Sequence, residues 1–411
     1  LKLLHQRNCI EGRNEMEFTI KRSDFFKGLQ SAQGVADTKG AIPILSHILI
    51  EAISKDPSGI WIYATDLNVG IKGFYKASVK SGGRFTVNAR KLFDIVRELS
   101  EEDVHISEVQ GLQYQDAGEQ PGLHREAQAE GLWLNLVCGN YNTRLSGLPF
   151  DEFPPFPSYG DDYLIKFDPL QLSDMVKKTI FSVSADETRY TLNGTLLEAE
   201  DDTIKMVSTD GHRLSYIKRK NPRKVDKKLS VIIPRKTTAE LLKLAETWSE
   251  QGKSDDEAVF FSMYENHMVF RKGNFVLVSR VIDGQFPGYD TVIPSNNDKR
   301  IIVNRELFIR ALKRVSLLSD EKSKMVKFKI GKDMELISET AGIGEAKERI
   351  DIKYDGEEVI IGLNAKYLID VLTAADSDEI FFDIKDPSSP TLFKPSNDDD
   401  YKCVIMPMRL Q

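Results

Sequence analysis

Apolar and polar positions along this chain repeat one pattern, a short alternating strand followed by a capping residue and an amphipathic helix. In residues 85–99, Phe85 and Val87 alternate as in a strand, Asn88 can cap a helix start, and the apolar residues after it fall at helical spacing. The same pattern returns at 18–29, 165–176, 231–244, 301–315 and 359–372, more weakly in the first two of these. Six copies of one unit make this an internally repeated protein.

The copies form three successive pairs, and alternating apolar segments bounded by turn residues separate the helices. Each unit is therefore predicted to be one helix followed by three or four antiparallel strands, which makes the fold class α+β. Proline-rich joints at 150–158 and 284–294 separate the pairs. We predict three tandem domains, at 16–155, 160–290 and 298–410.

Two segments do not fit the repeat. Residues 1–15 precede Met16, which directly adjoins the first copy; they are either extraneous to a native start at Met16 or a short, disordered native arm. Residues 110–131 are polar, rich in Gln and Gly, and without a counterpart in the other pairs. We predict that they form an inserted surface loop between two strands, and the sequence does not indicate its role.

Composition excludes several classes of protein. No apolar run approaches the roughly 20 residues that span a bilayer, and the first fifteen residues lack a signal-peptide core, so we expect a cytoplasmic protein without a membrane partner. The three cysteines are too few and too scattered for a disulfide framework or a zinc site. We expect no metal and no cofactor.

Charge is divided unevenly along the chain. The net charge is −7, but the six predicted helices carry 16 Lys and Arg against 8 Asp and Glu, which leaves −15 on the remainder. Such helix charges are either solubilising or face a polyanion. Basic residues near helix starts, at Lys21-Arg22, Arg90-Lys91 and Arg235-Lys236, oppose the helix dipole, and this repetition favours a polyanion.

Candidate catalytic chemistry is sparse. Asp210 and His212 are either a catalytic or metal-binding pair or part of an ordinary turn between strands. The run Asp398-Asp-Asp400 is either a cation site or a solvated loop. Phosphate-binding glycine motifs and the nucleophile motif Gly-x-Ser-x-Gly are absent from the sequence. An enzyme or regulator that uses the Asp210–His212 turn is the alternative to a non-catalytic binding protein.

Eight short motifs occur in order along the chain: AIPIL at 41–45, ATDL at 64–67, FTVNARK at 85–91, RYTLNG at 189–194, TDGHRL at 209–214, VIIPRK at 231–236, QFPGY at 285–289 and MPMRL at 406–410. With these motifs the chain resembles the bacterial sliding clamp family, the beta subunit of DNA polymerase III. The resemblance covers residues 16–410 and implies three domains of the DNA-clamp fold, closing into a ring as a head-to-tail homodimer. It implies a non-catalytic processivity factor that encircles duplex DNA without reading its sequence.

The resemblance also implies partners and site residues. The implied partners are the DNA polymerase III catalytic subunit, the clamp loader, and other polymerases and repair proteins that carry clamp-binding peptides. The peptide pocket would comprise Arg189, Leu192, Thr209, Gly211, His212, Arg213, Leu214, Pro287, Val292, Asn364, Tyr367, Pro390, Val404, Met406, Pro407 and Met408. Lys39 matches a DNA-contacting loop position of relatives, and we add Arg90, Lys91, Arg235 and Lys236 as candidate DNA contacts. Thr191, Asp186 and Ser323 depart from the family pattern, which affects details of peptide preference and DNA contact.

Overall fold

The structure, a computed structural model, describes residues 15–37, 40–100, 102–110, 132–160, 162–250 and 258–410. Within these ranges the chain forms six α-helices, one for each sequence repeat. They are α1 (Arg22–Val35), α2 (Ala89–Glu98), α3 (Pro169–Lys177), α4 (Arg235–Glu250), α5 (Arg305–Val315) and α6 (Ala365–Ala374). The predicted order of a strand followed by a helix is confirmed for all six units.

Side-chain caps fix four of the helix starts. The Oδ1 atoms of Asn88, Asn304 and Asn364 each accept a hydrogen bond from the backbone N–H three residues later, and Asp168 accepts from the backbone N–H groups two and three residues later. These bonds satisfy amide groups that have no partner inside the helix. Helix α4 runs to Glu250, beyond the end of the repeat copy predicted at 231–244, because Trp248 continues the buried face.

Strands occupy most of the remaining described chain. In order they are β1 (Glu17–Lys21), β2 (His47–Ile53), β3 (Gly59–Thr65), β4 (Val69–Lys76), β5 (Ser78–Ser81), β6 (Gly83–Asn88), β7 (Asp103–Gln110), β8 (Leu132–Cys138), β9 (Tyr141–Ser146), β10 (Ile165–Phe167), β11 (Gly194–Thr209), β12 (Arg213–Pro234), β13 (Val259–Tyr264), β14 (His267–Lys272), β15 (Phe275–Arg280), β16 (Lys299–Asn304), β17 (Met325–Ile330), β18 (Asp333–Thr340), β19 (Gly344–Lys353), β20 (Val359–Asn364), β21 (Glu379–Ile384), β22 (Thr391–Pro395) and β23 (Tyr401–Ile405). Two long strands follow α3, where three or four were expected.

The contacts divide the chain into two units. The first comprises the described residues up to Asp162 together with Ser262–Arg280. One antiparallel sheet in it has the order β5-β1-β7-β8-β9, and a second contains β14-β15-β4-β3-β2-β6. Helices α1 and α2 bury Phe25, Leu29 and Leu92 among the core residues. Strand β15, which follows α4 in the sequence, pairs with β4, which lies between α1 and α2 in the sequence.

The base of the predicted insertion lies in the first unit. Gln110 at the end of β7 is paired with Leu132 at the start of β8, so the chain leaves and re-enters the sheet at neighbouring positions. The segment predicted as a loop, 110–131, therefore connects the end of β7 to the start of β8. Residues 111–131 themselves lie outside the described residues, as do 1–14 of the predicted N-terminal arm.

The second unit comprises the described residues of Tyr163–Phe261 and those from Val281 onward. Its largest sheet has the order β11-β12-β23-β22-β21-β16-β19-β18-β17-β20, and β10 pairs with β13. Helices α3 to α6 belong to this unit. No helix in the described part of the chain is long and apolar enough to cross a membrane.

Candidate functional site

An apolar cluster in the second unit contains four predicted peptide-site residues. Leu214 and Val404 are buried in it, while Leu192 and Val292 pack against it and stay partly exposed. Strand pairing explains the arrangement, because Val404 of β23 lies opposite Leu214 of β12 on one side and Leu392 of β22 on the other. The other members are Leu196, Val207, Ile232, Ile282, Phe286 and Tyr289, with Tyr216 and Ile293 against them. The cluster forms an apolar floor with a partly exposed edge, suited to aliphatic side chains.

A tight turn joins β11 to β12 beside this floor. Asp210 Oδ1 accepts hydrogen bonds from the backbone N–H groups of His212 and Arg213, at 2.9 and 3.0 Å. Thr209 Oγ1 accepts one from Gly211 N at 3.1 Å and donates to Arg213 O at 2.6 Å. Gly211 has φ +87°, a conformation that favours glycine. The turn is therefore rigid, and it presents His212 to solvent.

The buried Arg213 side chain holds several elements together behind the turn. Its Nε lies 3.1 Å from Asp210 Oδ2, its Nη1 donates to Asp370 Oδ2 at 2.7 Å, and its Nη2 donates to Phe181 O. The guanidinium also lies 4.3 Å from the ring centroid of Tyr367 on α6. Since its nitrogen atoms and one face are engaged within the chain, Arg213 is placed to position the site around it.

The Asp210–His212 pair does not have the geometry of a catalytic dyad. The Asp210 carboxylate accepts hydrogen bonds from two backbone amides and from Arg213, and the His212 ring has no hydrogen-bond partner in the described chain. Among the described residues, no group of three or more His, Cys, Asp or Glu side chains could hold a metal ion. The turn interpretation of this sequence is therefore favoured.

The acidic run at 398–400 is neutralised by cations of the chain itself. Each of its three carboxylates lies within 2.7 to 3.1 Å of a basic side chain. The partners of Asp398, Asp399 and Asp400 are Arg219, Lys394 and Lys218, respectively. These ion pairs favour the loop interpretation over a cation site.

The residues after β23 run along the edge of the apolar floor. Met406 N donates to His212 O at 2.9 Å, and Met408 N donates to Gly362 O of β20 at 2.8 Å. Met406 is 38% exposed, while Pro407 and Met408 are half-buried. Two unbranched thioether side chains thus lie in this segment, Met406 beside the β11–β12 turn and Met408 beside β20.

Helix α6 contributes Asn364 and Tyr367 to the same region. Asn364 Oδ1 accepts from Tyr367 N at 3.2 Å, and its Nδ2 donates to Ser323 O at 2.9 Å. The Asn364 amide is therefore engaged as a helix cap. Tyr367 is half-buried, and burial is the main cause that raises the pKa of its hydroxyl. This hydroxyl has no hydrogen-bond partner among the described residues, so it can serve a ligand.

The remaining predicted residues lie around the rim. Arg189 is exposed, and its Nη1 donates to Asp210 O at 2.7 Å. Pro287 is exposed next to the buried Phe286, and Pro390 lies two residues before Leu392 of the floor. All sixteen predicted peptide-site residues belong to the second unit.

Sequence reasoning missed several residues of this region. Phe286 and Tyr289 form part of the floor and stand inside the motif QFPGY, where their apolar character could have indicated it. Asp370 follows Tyr367 by one helical turn, a spacing that places both on one face of α6. Phe181 contributes only a backbone carbonyl to Arg213, for which no sequence signal exists.

The candidate DNA contacts are on helix starts, with one exception. Arg90 and Lys91 are exposed in the first turn of α2, and Arg235 and Lys236 are exposed in the first turn of α4. Arg90 Nε lies 3.9 Å from Asp94 Oδ2, a loose contact between exposed groups. Lys39 lies outside the described residues.

The basic pair at the start of α1 has a different role from the expected one. Arg22 Nε donates to Val96 O at 3.1 Å, and its Nη2 donates to Arg97 O at 2.7 Å. These carbonyls belong to the last turn of α2, so the negative end of one helix compensates a cation at the start of the other. These contacts give Arg22 a role inside the helix pair that the sequence did not indicate, and the polyanion stays a prediction.

Models of the three parts of the DNA polymerase III beta subunit match the chain in order. The N-terminal domain matches residues 16–117, the central domain 166–288 and the C-terminal domain 290–409. The chain belongs to the DNA polymerase III beta subunit family. It has the three-domain clamp fold of helices and antiparallel sheets, and it is a DNA sliding clamp, a processivity factor of DNA replication that is not an enzyme.

Relatives match the chain over almost its whole length. The beta sliding clamp of Caulobacter vibrioides is 35% identical over 403 residues, covering 96% of this chain and 100% of that protein. That of Pseudomonas aeruginosa is 30% identical over 397 residues, with the same coverage of 96% and 100%. The crystal structure of a Pseudomonas aeruginosa clamp bound to griselimycin has a TM-score of 0.82 at 29% identity, covering 97% of this chain and 100% of that one.

Proposed function

We propose that two copies of this chain close head to tail into a ring around duplex DNA, and that the apolar floor with its rim binds short peptides of replication and repair proteins. The observation that carries the peptide site is the partly exposed edge formed by Leu192 and Val292 over the buried Leu214 and Val404. The partners would be the polymerase III catalytic subunit, the clamp loader and other polymerases and repair proteins. We expect the ring to act in the cytoplasm, without a cofactor.

The chemistry of the site suits a peptide with a Gln and an apolar tail. The floor and Met406 would receive the tail, and Met408 would act as a movable gate, because an unbranched side chain changes rotamer at little cost. The exposed His212 ring and the Tyr367 hydroxyl would hydrogen-bond the peptide. Arg213 and Asn364 are engaged within the chain, and their proposed role is to position the turn and α6.

DNA would be held by charge and by topology. Arg90, Lys91, Arg235 and Lys236 are exposed on helix starts, where they can approach phosphates. Lys39 is a further candidate through the family resemblance. Such contacts attract any duplex without selecting a sequence, so the ring could slide.

An apolar patch in the second unit supports closure by a second copy. Leu317 is 80% exposed and Ile343 is 72% exposed, although both are large aliphatic residues. The loop that contains Ile343 lies next to the turn that contains Leu317. A Cβ atom placed on Gly344 would be 3.6 Å from Leu318 Cδ1. Exposed apolar surface of this kind is typical of protein–protein contacts.

Truncation of the chain before Met406 tests the peptide site. It removes the segment along the floor and leaves all six helices, so the truncated chain should still dimerise and encircle DNA. Its affinity for a synthetic peptide with a Gln and an apolar tail should fall more than about tenfold, since fully burying one such side chain contributes about 1.5–3 kcal/mol. Calorimetric titration, run beside native mass measurement, gives both quantities.

Two single variants sharpen this test. Met408→Ala should weaken peptide binding less than the truncation, because it removes the gate and leaves the floor. Met263→Ala, which alters a half-buried methionine of β13, should leave it unchanged. Unchanged peptide affinity in a truncated chain that still dimerises would show that the peptide binds elsewhere.

A further inference from the structure

A cavity of about 530 Å³ lies beside the apolar floor, and none of its lining residues except Pro287 was predicted as part of the peptide site. Its walls come from β11, from the later part of β12 and from the loop after β15. The lining includes Leu196, Glu198, Lys228, Asp283, Phe286 and Asp290. The volume falls within the range of small-ligand pockets and is sufficient for one or two side chains.

The cavity is continuous with the proposed peptide site. Leu196, Ile232, Ile282 and Phe286 line the cavity and are also members of the apolar cluster that forms the floor. Pro287 lines the cavity and was predicted as part of the peptide rim. The cavity and the floor therefore share part of their apolar walls, which places the cavity next to the proposed peptide site.

Carboxylates dominate the polar part of the cavity wall. Tyr289 donates its hydroxyl hydrogen to Glu198 Oε2 at 2.6 Å, which fixes one carboxylate in place. Asp283 and Asp290 are exposed and form no ion pair within the described part of the chain. Lys228 also lines the cavity, but its Nζ lies 3.8 Å from Glu200 Oε2, so its charge is already partly compensated.

The tyrosines near the cavity respond to this negative charge. Burial raises the pKa of Tyr289, and the carboxylates of Glu198 and Asp290 raise it further. The pKa of Tyr216 is raised by burial and by the same two carboxylates together with Asp400. Since Glu198, Asp283 and Asp290 all line the cavity, a cation that entered it would lie near three carboxylates and beside apolar surface.

We propose that this cavity is a second subsite, which accepts a Lys or Arg side chain from the partner segment that flanks the peptide on the floor. The inference rests on the proposed peptide site and adds to it. The alkyl stem would lie on Leu196 and Phe286, and the charged end would reach Asp283 and Asp290. The subsite would let this protein favour partners with basic residues next to their binding peptide.

Synthetic peptides test the subsite with the full chain. One peptide contains the core Gln and apolar tail, two others add Lys-Lys at either end, and two more add Gln-Gln at the same ends. We expect one Lys-Lys extension to tighten the Kd about three- to tenfold at low salt, with the gain reduced at high salt. The matching Gln-Gln extension should give no gain.

Two matched double variants locate the effect. Asp283→Asn with Asp290→Asn should abolish the gain and leave the Kd of the core peptide within about twofold. Asp351→Asn with Asp355→Asn makes the same change in net charge at exposed positions outside the cavity lining, and it should keep the gain. Lys228→Gln removes a positive charge from the cavity wall and should increase the gain in affinity from the Lys-Lys extension.

The outcomes separate this inference from the function on which it rests. Core-peptide binding with no gain at either end, or an equal loss of the gain in both double variants, would overturn the subsite and leave the peptide site intact. Failure of the core peptide to bind would overturn the peptide site and the subsite with it.

Discussion

Helix starts that look alike in the sequence have two different environments in the structure. At α1 and α5 the first residue is an arginine that reaches the end of the other helix in its pair, with Arg22 bonded to α2 and Arg305 Nη1 donating to Leu372 O of α6. At α2 and α4 the basic residues of the first turn are exposed. Basic residues in the first helical turn thus either bond to the partner helix or stay exposed.

Antiparallel packing explains how Arg22 reaches the end of α2. When two helices lie antiparallel, the start of one meets the unpaired carbonyls at the end of the other. A guanidinium can donate to two of them at once, as Arg22 does. Stacking of Phe26 on Phe93, with ring centroids 5.3 Å apart, keeps this pair in register.

Among the substitutions that test this contrast, the largest effect is expected for a change at Arg22. Arg22→Ala removes two hydrogen bonds to the end of α2 and should destabilise the helix pair by about 2 kcal/mol. Hydrogen exchange of the backbone amides of α1 and α2 measures this locally, which avoids a single global unfolding value for a protein of several domains.

Lys27→Ala, at an exposed position of the same helix, is the matched control and should change the exchange by less than about 0.5 kcal/mol. Arg22→Lys should recover only part of the loss, because an ammonium group lacks the planar fork. Equal exchange in the Ala variant and the wild type would show that the two bonds contribute nothing to stability.

The exposed pair at α2 should behave in the opposite way. Arg90→Ala with Lys91→Ala should change stability by less than about 0.5 kcal/mol per site, while the salt dependence of DNA binding should decrease by about one unit of slope for each phosphate that is no longer neutralised. Retention of the loaded ring on circular and linearised duplex over a salt series measures the effect, and only linear DNA should release the ring by sliding.

Lys332→Ala is the control for this prediction. It removes one positive charge from an exposed turn between β17 and β18, away from the helices. If it reduced DNA retention per charge as much as the α2 pair, then net charge alone, and not the helix starts, would account for binding.

A smaller effect on stability, which depends on pH, is expected at the ion pair between Arg314 of α5 and Glu348 of β19. Arg314 Nε donates to Glu348 Oε2 at 2.9 Å, and this contact lowers the pKa of Glu348 below its ordinary value of 4.5. A carboxyl group whose pKa is lower in the folded protein than in the unfolded chain stabilises the fold when the pH is above its ordinary pKa. This stabilisation is lost as the pH falls through the pKa of the folded state. The stability difference between wild type and Glu348→Gln should therefore be present at pH 7 and vanish in acid below 4.5.

A double-mutant cycle with Arg314→Gln isolates the pair, and hydrogen exchange of the backbone amides of α5 and β19 across this pH range measures it locally. A difference that persisted unchanged in acid would assign the effect of Glu348→Gln to something other than the ion pair.

Local signals identified the repeated elements well. The capping residues Asn88, Asn304 and Asn364 act within three positions of themselves, and the apolar period of each helix is complete within its own length. The motifs that carry the family resemblance are equally local. Helix number, helix starts and the family were therefore predictable from the chain alone.

Contacts between distant positions were not predictable in this way. The family resemblance implies that Arg213 belongs to the peptide pocket, but its position between Asp210, Asp370 and Phe181 depends on how β12, α6 and the turn after α3 pack. The cavity at Asp283 and Asp290 likewise exists only because a loop after β15 lies against β11 and β12.

The sequence by itself determined the six units, their caps, the apolar faces and the family, because these depend on neighbours within one or two helical turns or strand repeats. The tertiary structure decided which basic helix starts are used internally and which are exposed. It also decided that β15 pairs with β4, a strand far earlier in the chain. Pairing and packing energies depend on which surfaces meet, and a periodic pattern specifies only that a face is apolar, not which face covers it.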